Sequence, residues 1–145
     1  MQKKPFTIWL ILLIVILGPI TVARDIMDLV SLETQYPLLL ARYPSLPLAF
    51  GVCKNLTIAS SLASVLVVIV LCQRRPGTLG MVKTGIIVRT VLMLAANLSL
   101  PIFLRFPAEG RYGHMFISLT LVMLATAGWY LYLIRSKKVR EIYAA

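Results

Sequence analysis

Only a few residues in this chain have types and spacings that could carry chemistry. His114 and Ser118 stand four residues apart, a spacing that would place a general base beside a hydroxyl nucleophile on one helix face. No third residue that could orient the histidine stands near them. His114 is also the only histidine, and the sequence has no metal-ligand spacing. We therefore expect no catalytic residue, no cofactor and no metal site, and interpret His114 as a side chain that faces a loop.

The two cysteines, Cys53 and Cys72, do not form a chemical site together. They lie near opposite ends of one apolar run, and a helix that rises about 1.5 Å per residue would separate them by roughly 30 Å. A disulfide requires Cα atoms within about 7 Å of each other. The pattern therefore indicates two small apolar side chains rather than a redox pair.

Four polar residues interrupt apolar runs and are candidate intramembrane sites: Arg89, Asn97, Lys54 and Asn55. A charge deep in a span marks a functional site by default. The long Arg89 side chain can also reach back to the lipid phosphates, and we favour that interpretation because no acidic residue stands in the middle of any span. Pro101 lacks the N–H that would bond the Asn97 carbonyl. We expect the Asn97 side chain to bond a neighbouring helix rather than to line a binding cavity.

The elements that position these residues are four long apolar runs, and they decide the class of protein. The hydrophobic fraction is 59% and the mean hydropathy is +0.88, above the roughly 45–50% apolar content of soluble domains. Each run is long enough to cross a bilayer, which takes about 20 residues as a helix. The sequence predicts one all-α, polytopic membrane domain over residues 1–145, with four transmembrane helices at 6–26, 47–72, 84–106 and 112–134.

The distribution of basic residues predicts how these spans are oriented. Lysines and arginines concentrate before the first span, in the loop 73–83 and in the tail 135–145, whereas the acidic residues stand mostly near the other ends of the spans. The positive-inside rule then places both termini in the cytoplasm, with 27–46 as an outer loop that begins as an extension of the first helix. The net charge of +10 does not indicate nucleic-acid binding, because the basic residues flank apolar runs. We expect the first run to be kept as a span rather than removed as a secretory signal.

Small residues form a band in the second span and recur in the fourth. Such residues let helix backbones approach closely in membranes. We predict that both faces lie at helix–helix contacts, within the chain or with another subunit. The candidate packing residues are Ala59, Ser60, Ala63, Ser64 and Gly128.

Lys54, near the outer end of the second span, has possible partners on the first. Asp25 and Asp28 stand at the predicted outer end of that span. We predict that one of them pairs with Lys54 and clips the first two helices together, which would be a structural role.

The end of the fourth span combines aromatic and basic residues. Trp129 and Tyr132 fit an interfacial aromatic belt. Four cations follow within six residues, and cations beside a span attract anionic lipid heads. We expect lipid-head contacts from this aromatic pair and from the four cations, which are Arg135, Lys137, Lys138 and Arg140.

This same segment resembles the C-terminal signature of the YdgK-like family, small four-span proteins of the bacterial inner membrane. The resemblance rests on the aromatic pair Trp129 and Tyr132, the segment Ser136-Lys137-Lys138-Val139-Arg140 and the closing Tyr143. Leu17-Gly18-Pro19-Ile20 is similar to the end of that family's first span. Lys138 and Ile142 depart from the usual arginine and threonine. The resemblance implies a four-span fold and an inner-membrane location, and it implies no activity.

Three classes of function remain open on these observations. A non-enzymatic accessory or assembly subunit, bound to a larger membrane complex or to copies of itself, needs small-residue helix faces and few charges, and we favour it. A small transporter or channel component needs polar residues that converge at mid-depth. A sensor, or a protein like the four-span immunity proteins that neutralise toxins, needs an outer recognition surface, which the loop 27–46 could supply.

Overall fold

The computed structural model describes the backbone of residues 5–104 and 112–144, and the side chains of residues 5–102 and 116–144. Within these ranges the chain is helical, without strands. Four helices are each long and apolar enough to cross a membrane. The prediction of an all-α chain with four span-length helices is therefore confirmed. The helices are α1 (Ile8–Leu40), α2 (Leu46–Gln73), α3 (Thr78–Leu104) and α4 (Tyr112–Arg135), followed by the short α5 (Lys137–Ala144).

Helix α1 contains one turn of π-helix, Ile16–Ile20, around Pro19. Proline has no N–H to continue the α-helical pattern. The backbone N–H and the hydroxyl of Thr21 both donate to the Ile16 carbonyl, the hydroxyl at 2.6 Å. A π turn holds more residues than an α turn, so it changes which later residues face inward. Thr21 and Asp25, which follow it, are both buried.

Helix α1 then continues to Leu40, so most of the segment 27–46 is helix rather than open loop. Its inward positions recur at helical spacing and include Leu32, Tyr36 and Leu39, which are half-buried. The Tyr36 ring meets the Phe50 ring of α2 edge-on, with the centroids 4.8 Å apart. This apolar stripe against α2 explains why the helix persists beyond the charged residues that end the first apolar run.

Helices α2 and α3 form a tightly packed hairpin. Helix α2 ends at Gln73 and is capped by Arg74, whose backbone is left-handed (φ 49°), and Gly77 (φ 81°) completes the turn. Further along, Gly85 of α3 faces Val67 of α2, and a Cβ atom placed on Gly85 would overlap the Val67 side chain. The absence of a side chain at Gly85 therefore sets how closely the two helices approach.

Two apolar clusters occupy opposite ends of the bundle. The larger one lies at the end that carries Phe6, the α2–α3 turn and α5, which we call the terminal end, and includes Leu13, Leu71 and Leu133. The smaller one surrounds Leu46 and Ala49 at the opposite end, which we call the far end. Buried polar side chains lie along the helices between the two clusters: Thr21, Asp25, Ser60, Ser64 and Thr90.

Helix α4 is the least covered of the four spans. Among its described side chains, residues 116–135, only Leu133 is buried. The Thr126 hydroxyl hydrogen bonds to that of Thr90 on α3 at 3.0 Å. The Tyr132 hydroxyl lies 2.9 Å from that of Thr7, beside α1. These two contacts fix the rotation of α4 while leaving most of its surface uncovered by the chain.

Helix α5 folds back onto the terminal end. The Ser136 hydroxyl accepts a hydrogen bond from the Val139 N–H at 3.4 Å and so caps the helix. Val139, Ile142 and Tyr143 are buried in the larger apolar cluster. The Tyr143 hydroxyl donates to the Leu71 carbonyl at 2.8 Å, one of the carbonyls that the end of α2 leaves without a helical partner.

We expect Tyr143→Phe to weaken this docking and to change its pH dependence. Burial, aided by the nearby Cys72 thiol and opposed by Arg74, raises the pKa of Tyr143 to about 12. The pKa of tyrosine in the unfolded chain is about 10. Because the pKa of Tyr143 is higher in the folded chain, its contribution to the unfolding free energy is fully present below that pH and is lost as pH rises through the folded pKa. The variant should lose about 1 kcal/mol of unfolding free energy at neutral pH, and should not show that loss at high pH.

The measurement is the unfolding free energy of the purified protein in detergent at a series of pH values, for wild type and variant. Tyr130→Phe, which changes a tyrosine outside the described Leu71 contact, is the matched control. The docking account is contradicted if the difference between wild type and Tyr143→Phe stays constant from neutral pH through the titration of tyrosine.

Candidate polar site between the spans

Arg89 lies near the middle of α3, and its side chain points into the bundle. The guanidinium Nε donates to the Ser64 hydroxyl of α2 at 2.7 Å, and Nη2 donates to the Thr21 hydroxyl of α1 at 3.3 Å. The Arg89 carbonyl accepts a hydrogen bond from the Ser60 hydroxyl at 3.4 Å. The guanidinium therefore joins three helices instead of reaching back to a lipid interface, contrary to the interpretation favoured by the sequence.

Asp25 is the acidic counterpart of Arg89, and we call these two residues and their hydroxyl partners the polar layer: Thr21, Asp25, Ser60, Ser61, Ser64 and Arg89. Asp25 lies one helical turn beyond Thr21 on α1, has 8% of its surface exposed and accepts a hydrogen bond from the Ser61 hydroxyl. The Asp25 carboxylate attracts the Arg89 guanidinium through space. Ser61 of α2 binds the carboxylate, and Ser64 of α2 binds the guanidinium. The sequence pattern predicts Asp25 at the outer end of a span and no acidic residue in the middle of any span. The continuation of α1 beyond its π turn places Asp25 inside the bundle instead.

A cavity of about 330 Å³ lies beside Asp25, between α1, α2 and α3. Its polar lining comes from all three helices. The apolar part of the lining includes Leu29 and Leu32 of α1, and Met93, Ala96 and Leu100 of α3. The polar lining residues are Arg24, Asp25, Asp28, Thr57, Ser60 and Asn97.

Asn97 faces this cavity and does not bond a neighbouring helix in the described structure. Its side-chain Nδ2 donates to the Met93 carbonyl of its own helix at 2.8 Å. Helix α3 continues through Pro101 to Leu104, so the missing N–H of Pro101 does not end it. The prediction that Asn97 bonds another helix is therefore wrong, and the cavity-lining alternative describes its position.

Lys54 pairs with Glu33, not with Asp25 or Asp28. The Lys54 Nζ lies 2.8 Å from Glu33 Oε1, and both side chains are exposed. Asp28 instead lies 3.6 Å from Arg24 on α1. Because α1 remains helical, Asp25 is inside the bundle and Glu33 reaches the level of Lys54. An exposed ion pair of this kind contributes roughly 0–1 kcal/mol, so the clip is a weak one.

The remaining candidate intramembrane and packing residues take different positions. Asn55 is exposed. Ser60 and Ser64 are buried against α3, while Ala59 and Ala63 beside them are half-buried. Gly128 is exposed, and a Cβ atom added there would meet nothing within 4 Å. The small residues of α2 therefore lie at a contact within the chain, and Gly128 does not.

The tail residues divide between the surface and the interior. The four cations are exposed. Trp129 and Tyr132 are half-buried, and the Trp129 ring contacts the Trp9 ring with centroids 6.5 Å apart. This aromatic pair therefore packs against the start of α1 within the chain. The exposed cations are Arg135, Lys137, Lys138 and Arg140.

Several residues named from the sequence lie outside what the structure describes. One is His114, whose side chain is not described, and others are basic residues that flank the predicted spans and bear on their orientation: Lys3, Lys4, Arg105 and Arg111. Among the residues that were searched, no group of three histidine, cysteine or acidic side chains is placed to hold a metal ion.

The polar layer could have been partly recognised from the sequence. Thr21 and Asp25 share a helix face, as do Ser60 and Ser64, because each pair is four residues apart. The serines were interpreted as small packing residues, and their hydroxyls were given no role.

Comparison with known proteins adds no relative: no family model, curated protein or solved structure matches this chain.

Proposed function

We propose that this chain is a non-enzymatic accessory or assembly subunit that packs against a larger complex in the bacterial inner membrane. The observation that carries the proposal is the uncovered surface of α4. Apart from Leu133, the described side chains of α4 remain half-buried or exposed. A span with so little intrachain packing is available to a neighbouring helix.

The composition of the α4 surface favours a protein helix over lipid as its neighbour. Ala125 and Gly128 are exposed beside Trp9, Trp129 and Tyr132, and these five residues line a shallow groove of about 320 Å³. Helices in membranes associate through small residues that allow close backbone approach, because lipid supplies little hydrophobic drive. We therefore propose that a transmembrane helix of a larger partner protein packs into this groove.

We expect Gly128→Leu to abolish partner binding without harming the fold. The added side chain points into open space in the isolated chain, but it would fill the groove that a partner helix needs. Affinity purification in mild detergent should recover a larger membrane protein in stoichiometric amounts with wild type. With the variant, we expect the amount of this partner protein recovered to fall by about tenfold or more.

The matched control is Gly51→Leu, which places the same side chain on α2 where a Cβ atom also meets nothing within 4 Å. Equal yields of all three proteins would show that folding is preserved. Recovery of the wild-type chain as a monomer, or only as a homo-oligomer, would contradict the proposal. Equal partner recovery with both variants would contradict the α4 groove as the site.

The proposed orientation has both termini and the α2–α3 turn in the cytoplasm. The Arg74 guanidinium lies 3.6 Å from the centre of the Phe6 ring, which brings the start of the chain to the same end as the turn. The Tyr143 contact brings the tail there as well. The exposed cations of this end support contacts to anionic lipid heads under the positive-inside rule. Membership in the YdgK-like family remains a proposal that rests on the tail signature.

A small transporter component is a second candidate, and the polar layer favours it. Arg89, Asp25 and their serine partners meet at mid-bundle, beside a cavity with further polar residues. Intramembrane ionisable residues commonly line pathways for ions or solutes. Solute flux through the purified chain in liposomes separates this candidate from a purely accessory role.

A further inference from the structure

We propose that the cavity between α1, α2 and α3 is a binding site for a small organic cation, with an ammonium group at Asp25 and an apolar body. The inference is independent of the accessory role. It supplies the substrate class for the second candidate function.

The carboxylate of Asp25 offers the cavity a free acceptor. One of its oxygens accepts from Ser61, and no described residue donates to the other. No side-chain oxygen in the described part of the chain is both sealed from solvent and without a partner, so this second oxygen is not sealed, and Asp25 lines the cavity. A carboxylate that is largely withdrawn from solvent, with one oxygen open, is suited to a charged hydrogen-bond donor.

The neutral polar groups around Asp25 also present acceptors. The Thr57 hydroxyl donates its proton to the Cys53 carbonyl at 2.9 Å, and the Ser60 hydroxyl donates to the Arg89 carbonyl. Asn97 donates to the Met93 carbonyl through its Nδ2. The hydroxyl protons of Thr57 and Ser60 and one of the two Asn97 N–H groups are thus engaged by helix backbone, and the three side-chain oxygens are left as acceptors. A ligand that donates hydrogen bonds finds acceptors in them.

The charges of the lining favour a cation. The cavity is lined by two carboxylates, Asp25 and Asp28, and by one guanidinium, that of Arg24. Arg24 lies 3.6 Å from Asp28, which leaves Asp25 as the carboxylate that no cation contacts directly among the described residues. Arg89 attracts Asp25 through space but does not line this cavity, and its guanidinium bonds Ser64 and Thr21, so it does not occupy the open oxygen of Asp25.

The size and apolar walls specify an organic ligand. The volume of about 330 Å³ is at the lower end of ligand-binding cavities, which run from about 300 to 1,000 Å³. The leucine, methionine and alanine side chains opposite Asp25 provide an apolar wall for a short alkyl chain. A primary alkylammonium ion combines the donor group and the apolar body that this lining requires.

Cys53 lines the cavity, is 9% exposed and allows a direct test. In a Cys72→Ser background it is the only thiol of the chain. We would measure its rate of modification in a non-ionic detergent by aminoethyl and sulfonatoethyl methanethiosulfonate, which carry opposite charges. Each rate is divided by the rate for a free thiol in solution.

We expect the cationic reagent to react at least about tenfold faster than the anionic one after this correction, because Asp25 attracts it. n-Butylammonium should slow the modification of Cys53, and butyrate should not. Asp25→Asn should remove both the charge preference and the protection. Glu33→Gln, which removes an exposed carboxylate outside the cavity, should retain both.

Asn97→Leu tests the site without changing a buried charge. Because it removes an acceptor and narrows the cavity, it should weaken the protection of Cys53 by n-butylammonium. Equal corrected rates for the two reagents would overturn the inference. So would protection that survives both Asp25→Asn and Asn97→Leu. Because the test measures binding in detergent, it can succeed when liposomes show no flux, and its result does not depend on the α4 groove.

Discussion

Replacing Arg89 with leucine is expected to lower the unfolding free energy of the chain in detergent by about 3 kcal/mol or more. The change removes the donor to the Ser64 hydroxyl and the donor to the Thr21 hydroxyl, and it deletes the positive charge that faces Asp25. A buried carboxylate that loses its compensating charge is costly in a medium of low dielectric constant. The measurement is a denaturant titration of the purified protein, monitored by helical circular dichroism.

Two further variants show whether this loss comes from the polar layer. Arg75→Leu removes an arginine that is exposed in the α2–α3 turn, and should change the unfolding free energy by less than about 0.5 kcal/mol. The double variant Arg89→Leu with Asp25→Asn should recover part of the loss, because the uncompensated carboxylate is then neutral. If Arg89→Leu and Arg75→Leu have the same effect, Arg89 does not join the helices as described.

Gly85→Val is expected to destabilise the α2–α3 hairpin by about 2 kcal/mol. A Cβ atom at Gly85 already overlaps the Val67 side chain, and the two further methyl groups of valine increase the overlap. Valine has only a few tenths of a kcal/mol better helix propensity than glycine, which does not offset the clash. The same denaturant titration measures the effect.

Gly80→Val is the matched control on the same helix, since a Cβ atom there meets nothing within 4 Å. It should be close to neutral. Shortening the opposing side chain by Val67→Ala should partly rescue Gly85→Val, whereas it should destabilise the wild-type protein by leaving a gap. Equal losses from Gly80→Val and Gly85→Val would contradict a close α2–α3 approach at Gly85.

The number and type of the main helices were predictable because hydrophobic length alone specifies them. A run of about 20 apolar residues has few alternatives to a membrane helix, since lipid offers no partner for backbone N–H and C=O groups. The serines of α2 were likewise recognised as a face, because small residues four apart must share one. Such features depend on composition and period within a single helix.

The site itself depends on how helices are rotated against each other, which periodicity does not give. Asp25 faces the interior because the π turn at Pro19 precedes it, and a proline predicts a disturbed helix without predicting its form. The observed partner of Lys54 differs from the predicted one because α1 continues as a helix, and this continuation brings Glu33 within reach of Lys54. The sequence presents Tyr143 as the closing aromatic of the tail, and its contact with Leu71 depends on the tertiary fold.

The separation of Asp25 and Arg89 on α1 and α3 has a consequence for biogenesis. A single charge at the centre of a span costs about 2.5 to 3.5 kcal/mol at the translocon. Helix α1 is synthesised before the guanidinium of α3, and α2 brings both Ser61, which donates to the Asp25 carboxylate, and Ser64, which accepts from Arg89. We therefore expect the polar side chains of these helices to be fully paired only after α1, α2 and α3 have all been synthesised.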